Sequence, residues 1–172
     1  MLSLEEALGL VRTVPDFPSP GVQFRDLNPV LASPEALGAV IDAMAALLPR
    51  ETELVAGVEA RGFLLGGAVA IARGCGVVPI RKPGKLPVVA DRVDYTLEYG
   101  TATLELPDVP LSGAAVVVVD DVLATGGTVA ATCELLARAG ATVTAVVVVA
   151  ELAGLGGRKR LDGYDVRSLV EL

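Results

Sequence analysis

The stretch Val116 to Thr128, read VVVVDDVLATGGT, limits what this chain can become more than any other. Four consecutive valines suit a strand buried on both faces, where β-branched side chains pack well. The apolar run stops at two adjacent carboxylates, Asp120 and Asp121, and a turn of small residues follows, Ala124-Thr125-Gly126-Gly127-Thr128. A helical pattern begins there, with Val129, Cys133 and Leu136 on one face and Gly140 where a C-terminal cap belongs. A second apolar run, Val143 to Ala150, completes a strand–helix–strand unit, and ligands bind at the carboxyl ends of such strands. The turn is suited to a phosphate. Gly126 and Gly127 let backbone N–H groups converge on an anion, Thr125 and Thr128 add hydroxyls, and the helix adds its positive dipole end. No lysine follows the glycines and no GxGxxG is present, so neither the nucleoside-triphosphate loop nor the dinucleotide fingerprint applies. Two acids beside a phosphate cradle suit a vicinal diol, a magnesium ion or both, whereas one acid would be enough to end a strand and cap a helix. The favoured ligand is a ribose phosphate with metal.

At 172 residues the chain is predicted to form one undivided domain with a sizeable core. Its apolar fraction of 52% comes from Ala, Val and Leu, since aromatics make up only 3%. Charged residues or glycine interrupt every apolar run before it reaches membrane-spanning length, and Glu5 and Glu6 stand where a secretory signal would carry positive charge. A cytoplasmic protein is expected, with no membrane association. The net charge of −7 argues against a general nucleic-acid partner. Arg158-Lys159-Arg160 is too small a patch to reverse that, and reads as a solvated helix end or turn. Cys75 and Cys133 lack metal-ligand spacing. Histidine is absent, which leaves acid–base work to carboxylates, Lys or Tyr.

Along the chain, Ser3 and Glu6 form a capping box before a short amphipathic helix. Val14 to Asp26 contains three prolines and is predicted to be irregular. Its end, Gln23-Phe24-Arg25, serves either to present one aromatic ring with its neighbouring amides or as a rigid connector whose Phe24 packs into the core. Ser33 and Pro34 open the next helix, with Leu37, Val40, Ile41, Met44 and Leu48 as its buried stripe. Leu54 to Val58 reads as a central strand ending at Glu59-Ala60-Arg61-Gly62. A Gly- and Ala-rich helix follows to about Arg73, and Arg61 at its start is an anion ligand or a surface arginine. Val77 to Ile80 is a strand that runs into Arg81, Lys82 and Lys85, three cations held by a turn. They suit a di-anionic group or form a solvated charge run. Val88 to Leu106 reads as two strands leaving the main sheet, with Glu98 and Tyr99 at their tip. Gly154 to Gly157 is predicted to be a flexible turn, and Val166 to Val170 a closing strand. The whole pattern indicates an α/β fold with a mostly parallel central sheet flanked by helices.

Several of these segments carry a family resemblance. VVVVDDVLATGGT resembles the phosphoribosyl pyrophosphate motif of the type I phosphoribosyltransferases. FPSPGVQFRDLNPVL is similar to the adenine-binding segment of the adenine phosphoribosyltransferases, GVEARGFLLGGAVA and IRKPGKLP to their pyrophosphate-binding loops, and LEYGT to the tip of their lid. The likeness runs from the first helix to the last strand with the motifs in the family's order. It implies transfer of a phosphoribosyl group from 5-phospho-α-D-ribose 1-diphosphate to adenine, giving AMP and pyrophosphate, with magnesium and in a homodimer. Ala124 to Thr128 would hold the 5′-phosphate, and Asp120 and Asp121 the ribose diol. Glu59, Ala60, Arg61, Gly62, Arg81, Lys82 and Lys85 would line the pyrophosphate site, with Arg81 reaching toward a partner subunit. Phe24 would stack on adenine while the backbone of Gln23 and Arg25 reads its Watson–Crick edge. Glu98 would be the acid–base group, beside Tyr99 on the mobile lid. In relatives the acid at position 59 is often Asp and the loop tends to hold a non-proline cis peptide, which places one near Glu59-Ala60. Two other readings remain: a regulatory protein that binds the donor without catalysis, and an enzyme of the same chemistry acting on a 6-oxopurine or orotate. The acidic balance and the Phe24 segment count against them.

Overall fold

The computed structural model of the chain describes residues 2–97 and 100–172. The backbone divides into two units, Met1–Ala43 and Met44–Leu172. In the first, Ser3 caps α1 (Leu4–Leu8), its hydroxyl accepting from the Glu6 N–H while Glu6 accepts from the Ser3 N–H. The next stretch is more regular than its prolines suggest. β1 (Arg12–Pro15) and β2 (Gln23–Asp26) form an antiparallel hairpin, with Val14 opposite Phe24 and Pro15 opposite Gln23. The prolines stand at the last residue of β1 and in the connection. A short α2 (Asn28–Ala32), which the sequence reading did not foresee, precedes α3 (Pro34–Ala46). The Ser33 hydroxyl accepts from the Ala36 N–H, as its N-cap role requires. The buried stripe of α3 includes Ala36 and Ala45, while Leu37 is only half-buried. Val40, Ile41, Met44 and Leu48 of the inferred stripe are buried, and Ala36 and Ala45 join them.

The second unit is built on a five-stranded, wholly parallel sheet in the order β4-β3-β7-β8-β9. Its strands are β3 (Leu54–Val58), β4 (Gly76–Ile80), β7 (Ala115–Leu123), β8 (Thr142–Glu151) and β9 (Val166–Glu171). Helix α4 (Arg61–Arg73) connects β3 to β4, and α5 (Gly127–Arg138) connects β7 to β8. Val116 to Val119 and Ala145 to Ala150 are 0% exposed, so the central strands are covered on both faces, as all-apolar runs require. Each such valine contributes about 1.5–3 kcal/mol on burial. Gly57 and Gly66 let α4 approach closely, since a Cβ on Gly66 would lie 3.2 Å from the Gly57 Cα. β5 (Val89–Leu97) and β6 (Gly100–Pro107) form a separate antiparallel hairpin, the excursion predicted from sequence. After β8 come a 3-10 turn (Ala153–Leu155) and α6 (Gly157–Arg160), so the segment read as a flexible glycine turn is ordered helix. Among the described residues, no helix is long and apolar enough to cross a membrane.

Candidate active site

β7 does not stop at the acid pair. It continues to Leu123, with Asp120 opposite Val148, Val122 opposite Ala150 and Leu123 opposite Glu151. The acids therefore sit within the carboxyl-terminal part of a central strand, and neither caps a helix. Gly62 makes room for them, because a Cβ there would lie 2.8 Å from the Val119 carbonyl oxygen and 3.2 Å from Asp120 Oδ1. Arg61 Nε stands 2.5 Å from Asp121 Oδ2 as an ion pair. That contact is not an aligned hydrogen bond, and Asp121 Oδ2 is otherwise a buried acceptor without one. Asp120 Oδ1 accepts from the Asp121 N–H at 2.8 Å. Burial first, and then the neighbouring Asp121 charge, push the Asp120 carboxyl well above the usual carboxylate range.

Past Leu123 the chain forms the inferred cradle. Asp120 and Val122 through Val129 line a cavity of about 80 Å³. Gly126 adopts φ 78° at the N-cap of α5, and no side chain caps the helix. Its first N–H groups are thus left to a ligand, with the dipole aimed the same way. Thr128 Oγ1 donates to the Tyr95 hydroxyl at 3.3 Å, which ties the cradle to the tip-proximal part of the β5–β6 hairpin.

The cations around residues 81–85 are held by an acid that the sequence placed among the anion-binding residues. Glu59 Oε2 accepts from Arg81 Nε at 3.1 Å and the Lys82 N–H at 2.7 Å, and Glu59 Oε1 accepts from Lys85 Nζ at 2.8 Å. Burial pushes the Glu59 carboxyl up, but hydrogen bonds from Lys85, the Lys82 amide and Arg81 outweigh it and hold the pKa at about 2. With a folded-state value below the unfolded one, this carboxylate's contribution to stability is present above the ordinary 4.5 and lost as pH falls through about 2. The Arg81 guanidinium also lies 5.3 Å from the centre of the Phe63 ring. Among the described residues the Lys82 ammonium forms no ion pair. The Glu59-Ala60 peptide is cis.

Glu105 holds the same turn from the other side. It accepts from the Gly84 N–H at 3.1 Å, and its backbone pairs with Arg81 in both directions. Sequence reasoning missed it because Leu104-Glu105-Leu106 alternates like a strand with a solvent-facing acid, whereas Glu105 is 4% exposed. Arg158 was likewise read as solvated, yet it grips the buried Glu151 with Nε at 2.9 Å from Oε1, and Nη1 donates to the Val166 carbonyl at 2.8 Å.

These contacts bring together Glu59, Ala60, Arg61, Gly62, Arg81, Lys82 and Lys85 with Asp120, Asp121 and the 124–128 cradle, all in the second unit. Gln23, Phe24 and Arg25 lie on β2 in the first unit. There the half-buried Phe24 meets Phe17 edge-on at 5.1 Å, Arg25 Nη1 donates to Thr13 Oγ1, and Pro15 has no N–H to offer the facing Gln23. Glu98 and Tyr99 lie outside the described residues. Such a site can hold one phosphate at the cradle and a second anionic group near Arg61, with a carboxylate pair between them.

The comparisons bear on the same residues. A phosphoribosyl transferase domain model matches residues 29–171. The chain is 58% identical over 168 residues to an adenine phosphoribosyltransferase of Saccharopolyspora erythraea, covering 97% of this chain and 91% of that one. It is 60% identical over 162 residues to another from Mycolicibacterium vanbaalenii, covering 93% and 92%. Among solved structures, the adenine phosphoribosyltransferase of Thermoanaerobacter pseudethanolicus superposes with a TM-score of 0.95 at 46% identity, covering 99% and 100%. The Giardia lamblia enzyme complexed with 9-deazaadenine does so with 0.92 at 36%, covering 100% and 99%. With its parallel sheet, uncapped α5 and paired acids matched along nearly its whole length, the chain belongs to the phosphoribosyltransferase family, in its adenine phosphoribosyltransferase branch.

Proposed function

We propose that this chain transfers the 5-phosphoribosyl group from 5-phospho-α-D-ribose 1-diphosphate to adenine, releasing pyrophosphate and forming AMP in purine salvage. The observation that carries this reading is the junction of cradle, acid pair and Glu59-held cations within one unit of a chain from this family. Ala124, Thr125, Gly126, Gly127 and Thr128 hold the 5′-phosphate. Asp120 and Asp121 orient the ribose diol and face the positive charge that grows at the anomeric carbon as its bond to pyrophosphate lengthens. The electron pair of that bond leaves with pyrophosphate, whose charge Arg61, Lys82 and Lys85 offset, with Gly62 offering an N–H at the start of α4. Adenine N9 supplies the new bond. Phe24 holds the ring in line and the backbone of Gln23 and Arg25 selects it, since a carbonyl acceptor aimed at the amino group would meet an oxygen in a 6-oxopurine, at a cost of about 1–3 kcal/mol. Glu98 receives the proton that N9 gives up, and Tyr99 helps the lid exclude water.

The residues present fit magnesium. Asp121 Oδ2 is a buried acceptor without an aligned hydrogen bond, and magnesium is usually held by one or two carboxylates with substrate phosphates, not by an all-protein cage. No cluster of three or more potential ligands exists among the described residues to form such a cage. Asp120 and Asp121 would hold the ion together with the donor, where it supplies neutralisation of the diphosphate charge. A homodimer is the assembly we propose. Leu64 and Ile71, two turns apart on α4, are 62% and 85% exposed, and Val77 on the open edge strand β4 is 49% exposed. A second copy would cover that apolar face. A cytoplasmic location accords with a salvage role.

The test is AMP formation from the donor and magnesium with adenine, hypoxanthine, guanine, xanthine and orotate in turn. Turnover with adenine alone is the expected result. Turnover with another base would overturn the Phe24 assignment, and donor binding without any product would favour a regulatory protein.

A further inference from the structure

The cradle, read as the 5′-phosphate site, poses an electrostatic problem. Its lining from Asp120 to Val129 contains no cation and one carboxylate, yet it must hold a phosphate monoester, which is largely dianionic at neutral pH. Neutral N–H and hydroxyl donors at a helix start ease this without cancelling it.

A cation from elsewhere in the chain lies beside the cradle. The start of α6 is pressed against the loop: a Cβ on Gly126 would lie 2.7 Å from the Gly157 carbonyl oxygen, and a Cβ on Gly157 2.3 Å from that of Ala124. Only glycine on both sides permits this approach. It sets the following helical turn, Arg158 to Arg160, beside the cradle. The two arginines then diverge. Arg158 is committed to Glu151 and the Val166 carbonyl. The Arg160 side chain turns to the loop, its Nη1 3.6 Å from the position a Cβ on Gly127 would take, alongside the Tyr95 ring at 3.5 Å and the Thr96 carbonyl at 3.6 Å. Gly127 is the first residue of α5, and Cα–Cβ bonds tilt toward a helix's N-terminus. The guanidinium therefore stands beside the first turn of α5, next to the cradle's lining. Among the described residues Arg160 forms no ion pair, so its charge is not already neutralised.

We infer that Arg160 is the charged ligand of the 5′-phosphate, placed by the Gly126–Gly157 backbone contact to complete a cradle that otherwise offers only neutral donors. The inference rests on the reading of residues 124–128 as the 5′-phosphate site. A planar guanidinium can pair with two phosphate oxygens, which a lysine cannot, so the residue type matters as well as the charge.

The experiment measures inhibition constants of ribose 5-phosphate and of pyrophosphate against the donor, with KM for adenine, in Arg160→Gln, Arg160→Lys and Thr128→Val. Arg160→Gln is expected to weaken ribose 5-phosphate about tenfold, the size of one charge-assisted hydrogen bond, while pyrophosphate and adenine constants hold within about twofold. Arg160→Lys is expected to recover part of the loss. If Thr128→Val weakens ribose 5-phosphate and Arg160→Gln does not, the cradle stands and the role of Arg160 is overturned. If neither variant changes it, the 5′-phosphate assignment itself fails. Equal weakening of all three ligands by Arg160→Gln would show a structural role and overturn the inference.

Discussion

Asp120 and Asp121 are neighbours in sequence with different surroundings. Asp121 has the Arg61 guanidinium at 2.5 Å, while burial and the adjacent charge push Asp120 toward its protonated form. Each should therefore answer differently to neutralisation. On the proposed mechanism, Asp121→Asn removes the carboxylate that faces the developing positive charge, and should lower kcat by about a hundredfold or more with a far smaller change in melting temperature. Parallel melting and rate measurements check this, and comparable losses of fold and turnover would refute it. For Asp120 the sign is reversed. A carboxyl raised above its ordinary value in the folded state contributes most to stability at low pH and loses that contribution as pH rises through the folded value. Asp120→Asn should therefore raise the melting temperature of the ligand-free protein at neutral pH, with the gain shrinking as pH falls toward about 3.9, while turnover falls. A melting curve against pH for both proteins tests it.

Among elements, the decisive contact is α6 against the 124–127 loop. An added methyl at Gly157 would be 2.3 Å from the Ala124 carbonyl oxygen and 3.0 Å from Leu123 Cγ, so backbone must move. Gly157→Ala should cost about 1–3 kcal/mol of stability and raise KM for the donor at least about tenfold, with KM for adenine little changed. Steady-state kinetics with each substrate varied in turn will show whether the loss falls on the donor. On the other side of the site, Glu59, just after β3, and Glu105 on β6 grip the 81–85 turn. If these cations meet the proposed pyrophosphate, they are positioned beforehand, and less side-chain entropy is lost when it binds.

For the molecule as a whole, the open question of assembly lies on α4. Its inward side carries Leu65, Val69 and Ala70, all nearly fully buried, while Leu64 and Ile71 face out. A helix apolar on both sides is under-covered in a single chain. Ile71→Glu should shift the mass measured by sedimentation from dimer toward monomer. A wild-type chain that sediments as a monomer at micromolar concentration would remove the dimer proposal.

The local chemistry was legible in sequence because it depends on neighbours along the chain. All-valine strands, the glycine turn before α5, the acid pair and the Ser3 and Ser33 caps each announce themselves within a few residues. The same locality explains the errors. Prolines hid the β1–β2 hairpin although they fall at the end of β1 and in the connection, and alternation disguised Glu105 as a surface acid. Tertiary structure alone decided the pairings of Glu59 with the 81–85 cations, Arg61 with Asp121, and Gly157 with the 124–127 loop. Each joins residues brought together only when parallel strands align their carboxyl ends, an ordering that hydrophobic burial across the whole sheet imposes and no single segment encodes.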